Sequence, residues 1–318
     1  VFYRTGLPAR AFHHFLYGQS DFPLMQELEL IGRAMVHDDR IALQTPSGRH
    51  SYRDLVRRSA EIASALLDGK KVLDECRVAY LVPAGFQYVT TQWGIWRAGG
   101  IAVPLSRSAT EKELEYALTA CGCSVVLTTR ELALKVAALT DRHEIRHDIL
   151  DEIGDWETKT LPEIDPGRDA MILYTSGTTS MPKGVVTTHT CIQNQIRSLV
   201  DAWHWQSDDR IPLFLPLHHV HGIINVMSCA LWTGAQIEPF DRFDLESILS
   251  RVAEGAYSVF MAVPTIYVKL IEAIQAMDEN DRKPIVDGFG KMRLMISGSA
   301  ALPASIHQRW TQLTGQKL

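Results

Sequence analysis

Short runs of apolar, largely β-branched residues recur along the chain, and longer segments with helical spacing of apolar residues lie between them. This alternation constrains the fold more than any single motif, because strands separated by helices return as parallel neighbours. It predicts an α/β fold of layered sheets flanked by helices. The strand-like runs fall at 78–82, 101–103, 124–128, 171–175, 185–187, 211–215, 258–263 and 293–297. Helical patterns cover 86–96, 190–203, 245–253, 265–276 and 303–313. Ser51-x-x-Asp54 and Thr110-x-x-Glu113 have the spacing of reciprocal N-terminal caps, the first leading into Leu55, Ile62 and Leu66, the second into Leu114, Ala117 and Leu118. A polar stretch from 142 to 168, containing Pro162 and Pro166, reads as a linker. It divides a first α/β subdomain, 21–168, from a second, 169–318, that carries the chemistry.

Composition narrows the function. With 318 residues and 46% hydrophobic content the chain can bury a large core. A net charge of −5 gives no basic footprint for nucleic acid. No apolar run approaches the length of a transmembrane segment. The 5 cysteines, Cys76, Cys121, Cys123, Cys191 and Cys229, include no C-x-x-C pair and read as free thiols in a reducing compartment. Residues 1–20 hold Arg4, Arg10, His13 and His14 and no acidic residue, a composition shared by transit-peptide remnants and by ordinary basic tails.

Three segments carry chemistry. The first, Tyr174-Thr175-Ser176-Gly177-Thr178-Thr179-Ser180-Met181-Pro182-Lys183-Gly184, combines hydroxyl donors, free backbone N–H groups around Gly177 and one ammonium, with no carboxylate to repel an anion. It reads as a phosphate-handling loop. It is not a Walker loop, since Lys183 precedes its glycine. The second, Leu215-Pro216-Leu217-His218-His219-Val220-His221-Gly222, closes an expected strand with a histidine cluster. No acidic residue lies between Asp209 and Glu238, so a zinc site is disfavoured and no metal ligand is assigned. The third, Arg293 to Pro303, passes from a strand through Gly298, Ser299, Ala300 and Ala301, small residues that allow close backbone approach to a flat ring or form a plain strand-to-helix turn.

The 174–184 string resembles the AMP-binding signature of the acyl-activating, adenylate-forming enzymes, with Ser180 where that family usually has a second glycine. The resemblance implies the large N-terminal domain of the adenylate-forming fold, with ATP, magnesium and coenzyme A taking part. It implies ATP contacts from Thr175, Ser176, Gly177, Thr178, Thr179, Ser180, Met181, Pro182 and Lys183, and from Ser299, Ala300 and Ala301. It places Lys183 and His219 at the phosphates, His221 at the acyl carboxylate, and Gly222 and Gly298 where substrate needs room. The segments 39–43, 48–52, 217–222, 261–267 and 297–303 narrow the resemblance to the malonyl-CoA synthetases within that family. This implies malonate activation through an acyl-adenylate, with the mitochondrial matrix as location and the cytoplasm as alternative. Malonate keeps a second carboxylate, for which Arg293 is the expected partner, a solvated strand-start arginine being the other reading. Short- or medium-chain fatty acyl-CoA synthesis is the nearest rival activity. Because the family's ribose-binding acidic residue, hinge and C-terminal domain follow the point where this sequence stops, an inactive nucleotide-binding fragment is the rival from another class.

Overall fold

The computed structural model describes residues 27–154, 160–175 and 182–318. The first helix, Glu29–His37, leads into a hairpin of β1 (Ile41–Thr45) and β2 (Gly48–Ser51). Helix Tyr52–Leu67 follows and opens on the expected capping box. Ser51 Oγ accepts from the Asp54 N–H, and the Asp54 carboxylate accepts from the Ser51 N–H at 2.9 Å. Then come β3 (Arg77–Leu81), helix Phe86–Arg97, β4 (Ile101–Pro104), helix Glu111–Ala120 with its own Thr110–Glu113 capping box, β5 (Val125–Thr128) and β6 (Arg146–Ile149). The chain continues through β7 (Asp169–Thr175), β8 (Lys183–Thr188), helix His189–Trp203 and β9 (Arg210–Leu213). A π-helical stretch, His221–Ser228, runs into helix Cys229–Thr233, followed by β10 (Gln236–Pro239), helix Leu245–Ala253 and β11 (Val259–Ala262). Helices Pro264–Ala276 and Glu279–Gly290, β12 (Leu294–Ser297) and helix Ala304–Thr314 complete it.

These strands form a six-stranded sheet, ordered β6-β5-β3-β4-β7-β8, and a four-stranded sheet, ordered β2-β1-β10-β9. All pairings in the first are parallel except β7–β8. In the second only β1–β2 is antiparallel. β11 and β12 pair in parallel, and β11 sits beside β9 through the Ser258 N–H, which donates to the Arg210 carbonyl at 3.0 Å. Helices Tyr52–Leu67 and Phe86–Arg97 are buried over most of their length and pack on each other, with Trp93 and Trp96 in the same core. Burying such an indole is worth roughly 2–3 kcal/mol of apolar transfer, which is why these helices tolerate Thr90, Thr91 and Gln92 in their midst.

The expected boundary at residue 168 does not separate the sheets. β7 lies beyond it, yet pairs with β4 at Ala102 and Met171. β1 likewise pairs with β10 at Leu43 and Ile237, so each sheet draws on both halves of the chain. The supposed linker also contains β6, an edge strand whose Arg146 and Asp148 pair at 2.7 Å and so mask its strand character. Among the described residues no helix is long and apolar enough to cross a membrane.

Candidate active site

Lys183 is the first residue of β8 and stands opposite Thr175, the last residue of β7. The Thr175 hydroxyl donates to the Lys183 carbonyl at 3.4 Å. The paired strands thus bring a hydroxyl-bearing residue and an exposed lysine opposite each other where β7 ends and β8 begins. Helix Glu111–Ala120 holds this stem in place, because the Tyr116 hydroxyl donates to the Pro182 carbonyl and the Tyr174 hydroxyl to the Ala117 carbonyl, each at 2.8 Å. Ser176, Gly177, Thr178, Thr179, Ser180 and Met181 lie outside the described residues.

The histidine segment leaves β9, turns through Pro216 and enters the π-helical stretch at His221. The His219 N–H donates to the Pro216 carbonyl at 3.3 Å and the Ile223 N–H to the His219 carbonyl at 3.1 Å. π-helical turns widen the backbone and are frequent where side chains must be re-aimed at a ligand. Behind the turn runs a buried polar chain: Gln92 Nε2 donates to Tyr80 Oη, Tyr80 to Tyr88 Oη, and Tyr88 to the Leu217 carbonyl at 2.5 Å. Sequence reasoning missed these three residues. Their signal was a run of polar side chains, Tyr88 and Gln92 one helical turn apart, inside an otherwise buried helix.

His221 is buried, and its Nδ1 shares a hydrogen bond of 2.9 Å with the Ser299 hydroxyl. A Cβ on Gly298 would sit 2.8 Å from the His221 Cε1, so only glycine lets the imidazole lie against this turn. Ser299 itself takes a left-handed backbone, φ +66°, which costs a non-glycine residue about 1–2 kcal/mol. Ala300 and Ala301 are exposed beside it. The structure therefore joins the second and third segments at one point. Among the described residues no hydrogen bond or ion pair links either of them to Lys183.

Burial lowers the pKa of His221 and of His219, and pushes His218 down to about 4 with the neighbouring His219 adding to the effect. The His218 and His219 rings lie 4.1 Å apart between centroids. All three are neutral at neutral pH and can serve as hydrogen-bond donors or acceptors rather than cations. The Asn225 Oδ1, in the π-helical stretch, and the Ser297 Oγ, in the third segment, are buried with no partner among the described residues. A buried polar atom left unpaired costs about 1–3 kcal/mol, which a ligand could relieve.

Two expectations are corrected. Arg293 precedes β12 at the end opposite Ser297. Its Nε donates to the buried Asp209 carboxylate at 2.8 Å, its Nη2 to the other carboxylate oxygen, and its Nη1 to the Trp203 carbonyl. The fork is engaged there and cannot also grip a substrate carboxylate. Burial would raise the Asp209 pKa, but Arg293, the Gln206 N–H and the Ser258 hydroxyl outweigh it and hold the carboxyl below its ordinary range. Gly222 does not leave room for substrate either. A Cβ there would lie 2.6 Å from the Pro216 carbonyl oxygen, so its bare backbone is needed by the turn itself.

The AMP-binding enzyme family profile matches residues 32–318. The human protein "Malonate–CoA ligase ACSF3, mitochondrial" is 36% identical over 316 residues, which cover 90% of this chain and 53% of that protein. The crystal structure of ATP-bound MatB from Rhodopseudomonas palustris superposes with a TM-score of 0.80 at 27% identity, covering 92% of this chain and 58% of the other. A malonyl-CoA ligase ternary product complex with methylmalonyl-CoA and AMP bound gives 0.74 at the same identity, covering 89% and 57%. The chain spans about half the length of the curated relatives it matches. With the profile running over nearly the whole sequence, this chain belongs to the AMP-binding enzyme family.

Proposed function

We propose that the protein activates malonate with ATP. In this reading a malonate carboxylate attacks the α-phosphorus, an acyl–oxygen–phosphorus bond forms, pyrophosphate leaves, and the thiol of coenzyme A then displaces AMP from the malonyl-adenylate. The observation that carries the reading is the His221–Gly298–Ser299 junction. It seats a neutral imidazole against a small-residue turn with an exposed floor, a place where a carboxylate can receive a hydrogen bond and a flat ring can approach the backbone. Lys183 and Thr175 supply charge and a hydroxyl for the triphosphate, and Ser176, Gly177, Thr178, Thr179, Ser180, Met181 and Pro182 are assigned to the same loop. His219 faces the phosphates in this reading, and Ala300 and Ala301 the adenine. The mitochondrial matrix is the proposed location, supported by the name of the human relative.

Malonate in particular is supported by the similarity to malonate–CoA ligases and to the methylmalonyl-CoA complex, not by a cation in this site, since Arg293 is engaged elsewhere. Neutral donors, the His221 imidazole and the Ser297 hydroxyl, are what the described residues offer to the second carboxylate. Magnesium enters as the counterion of ATP. Among the described residues no cluster of three or more His, Cys, Asp or Glu could hold it, so it is given no protein ligand and no step.

The test is acid-dependent exchange of labelled pyrophosphate into ATP by the purified protein, offered malonate, acetate, butyrate or octanoate in turn. Malonate should support the fastest exchange and Lys183→Ala should slow it by about 100-fold, the scale of losing one charge that stabilises the transition state. Exchange with octanoate and not malonate would transfer the activity to fatty acids, and binding of ATP without exchange would leave a nucleotide-binding fragment.

A further inference from the structure

Lys183 belongs to the six-stranded sheet and the histidine turn follows β9 of the four-stranded one, so their relative placement depends on what joins the two sheets. The Gln92–Tyr80–Tyr88 chain makes such a join. Tyr80 lies on β3 beside β4, the strand that pairs with β7, and Tyr88 and Gln92 lie on helix Phe86–Arg97, while Leu217 follows β9. Tyr80, Tyr88 and Gln92 are each at most 2% exposed. The direction of the chain is fixed by its last member, because a carbonyl can only accept. Tyr88 therefore gives its proton to Leu217, Tyr80 gives its own to Tyr88 at 2.9 Å, and the Gln92 amide nitrogen donates to Tyr80 at 3.0 Å. Burial raises the pKa of both phenols far above the ordinary value, so both protons stay in the chain. The Gln92 Oε1 is left buried without a partner among the described residues. Packing alone does not account for these groups. The two rings meet at 5.1 Å between centroids, a contact that two phenylalanines would make without burying hydroxyls and an amide.

We propose that Tyr88 is a positioning residue for adenylation: its hydroxyl holds the Leu217 carbonyl, and so sets the exposed His219 in place relative to Lys183. The positioning role rests on the adenylation reading, while the hold on the turn does not. Pro216, His219 and Val220 are exposed, and the backbone bonds of His219 and Ile223 run within the segment itself. Tyr88 grips that segment from outside, at the peptide just before the adjoining His218 and His219 rings. His221 is placed separately, by Ser299 and the bare Gly298. Loss of the Tyr88 hydroxyl should therefore disturb the histidine assigned to the phosphates and leave both the His221 junction and the β7–β8 hairpin as they are. A misplacement of about 1 Å can cost on the order of 100-fold in rate. A hold one peptide away from the acting residue should be worth less, about tenfold.

The experiment compares the purified protein with Tyr88→Phe, Tyr80→Phe and the double variant, each keeping the packed rings. Malonate-dependent pyrophosphate exchange is measured well below the melting temperature of every variant. Tyr88→Phe should lower kcat about tenfold with the KM for ATP within about twofold of the parent value. Tyr80→Phe leaves the bond to Leu217 but removes the donor behind it, and should cost about two- to threefold. In the Tyr88→Phe background it should cost nothing more, because the last link is already gone. A lowered melting temperature with unchanged kcat, or effects of the two substitutions that simply multiply, would make the chain structural and overturn the positioning role. Amide hydrogen exchange read by mass supplies an arm that needs no turnover. The His219 and Ile223 amides should exchange about tenfold faster in Tyr88→Phe while the β7–β8 amides stay as protected as before. Unchanged protection at His219 and Ile223 would overturn the hold itself. A parent protein inert toward malonate and the other acids would instead sink the adenylation reading, and the amide rates would still decide whether Tyr88 holds the turn.

Discussion

The two ends of β12 have opposite characters. At its start, Arg293 and Asp209 satisfy each other, with Ser258, Gln206 and Trp203 completing the set. At its finish, the Ser297 hydroxyl has no partner among the described residues, Ser299 is held left-handed, and Gly298 admits a histidine from another segment. The difference teaches where to look for function in such a fold. A fully paired charge is a fastening, while unpaired polar atoms and backbone strain persist where something outside the chain completes them.

The contrast can be broken at the fastening first. Removing one partner leaves the other charge uncompensated, so Arg293→Ala or Asp209→Asn should lower unfolding free energy by about 2–4 kcal/mol, less than a fully buried pair because Arg293 is partly exposed. Urea titration measures this, and a Michaelis constant raised for malonate alone would return Arg293 to the substrate. Next comes the turn that feeds the other end. Gly222→Ala places a methyl against the Pro216 carbonyl and should cost about 1–3 kcal/mol, with a loss of exchange activity out of proportion to the loss of fold.

Acid provides the third probe. His189 is buried and its pKa lies at about 4, with burial the main cause and Arg168 adding to it; the pKa of His221 is lowered in the same direction. Unfolded histidine binds protons from about pH 6.5 downward while the folded groups resist, so stability is full above that value and falls as pH drops toward 4. Each such unit of difference is worth ~1.36 kcal/mol, and His189→Gln should remove about 2–3 kcal/mol of the fall between pH 6.5 and 4. Thermal unfolding across that range would show it; a slope unaltered by the substitution assigns the acid sensitivity to other groups. The smallest expected effect on stability is Ser299→Gly. Relief of the left-handed backbone, about 1 kcal/mol, is nearly offset by loss of the His221 hydrogen bond. Pyrophosphate exchange should nevertheless slow, and an unaffected rate would make the strain at this end merely structural.

Elements whose own residues announce them were legible in the sequence. Both capping boxes form, and the helix at Leu245–Ala253 has the expected limits because Asp244 caps it and Ile248, Leu249 and Val252 are buried. β10 was not legible, since its Glu238 finds Arg251 at 3.0 Å only in the folded chain. The fate of Arg293 was hidden for the same reason, its partner lying 84 residues away. The three chemical segments could be picked out one by one. That His221 would rest on Gly298 could not, because nothing local in either segment encodes their meeting.

The pairing of β1 with β10 carries a temporal consequence. Arg40, just before β1, donates to the Gly234 carbonyl across 194 residues, and the sheet that β1 begins cannot close until that distant stretch exists. At about 5–20 residues per second of synthesis, the β1–β2 hairpin waits roughly 10–40 s with one edge open. During that interval the nascent chain depends on other means, such as chaperone cover, to keep the β1 edge from pairing with a neighbour.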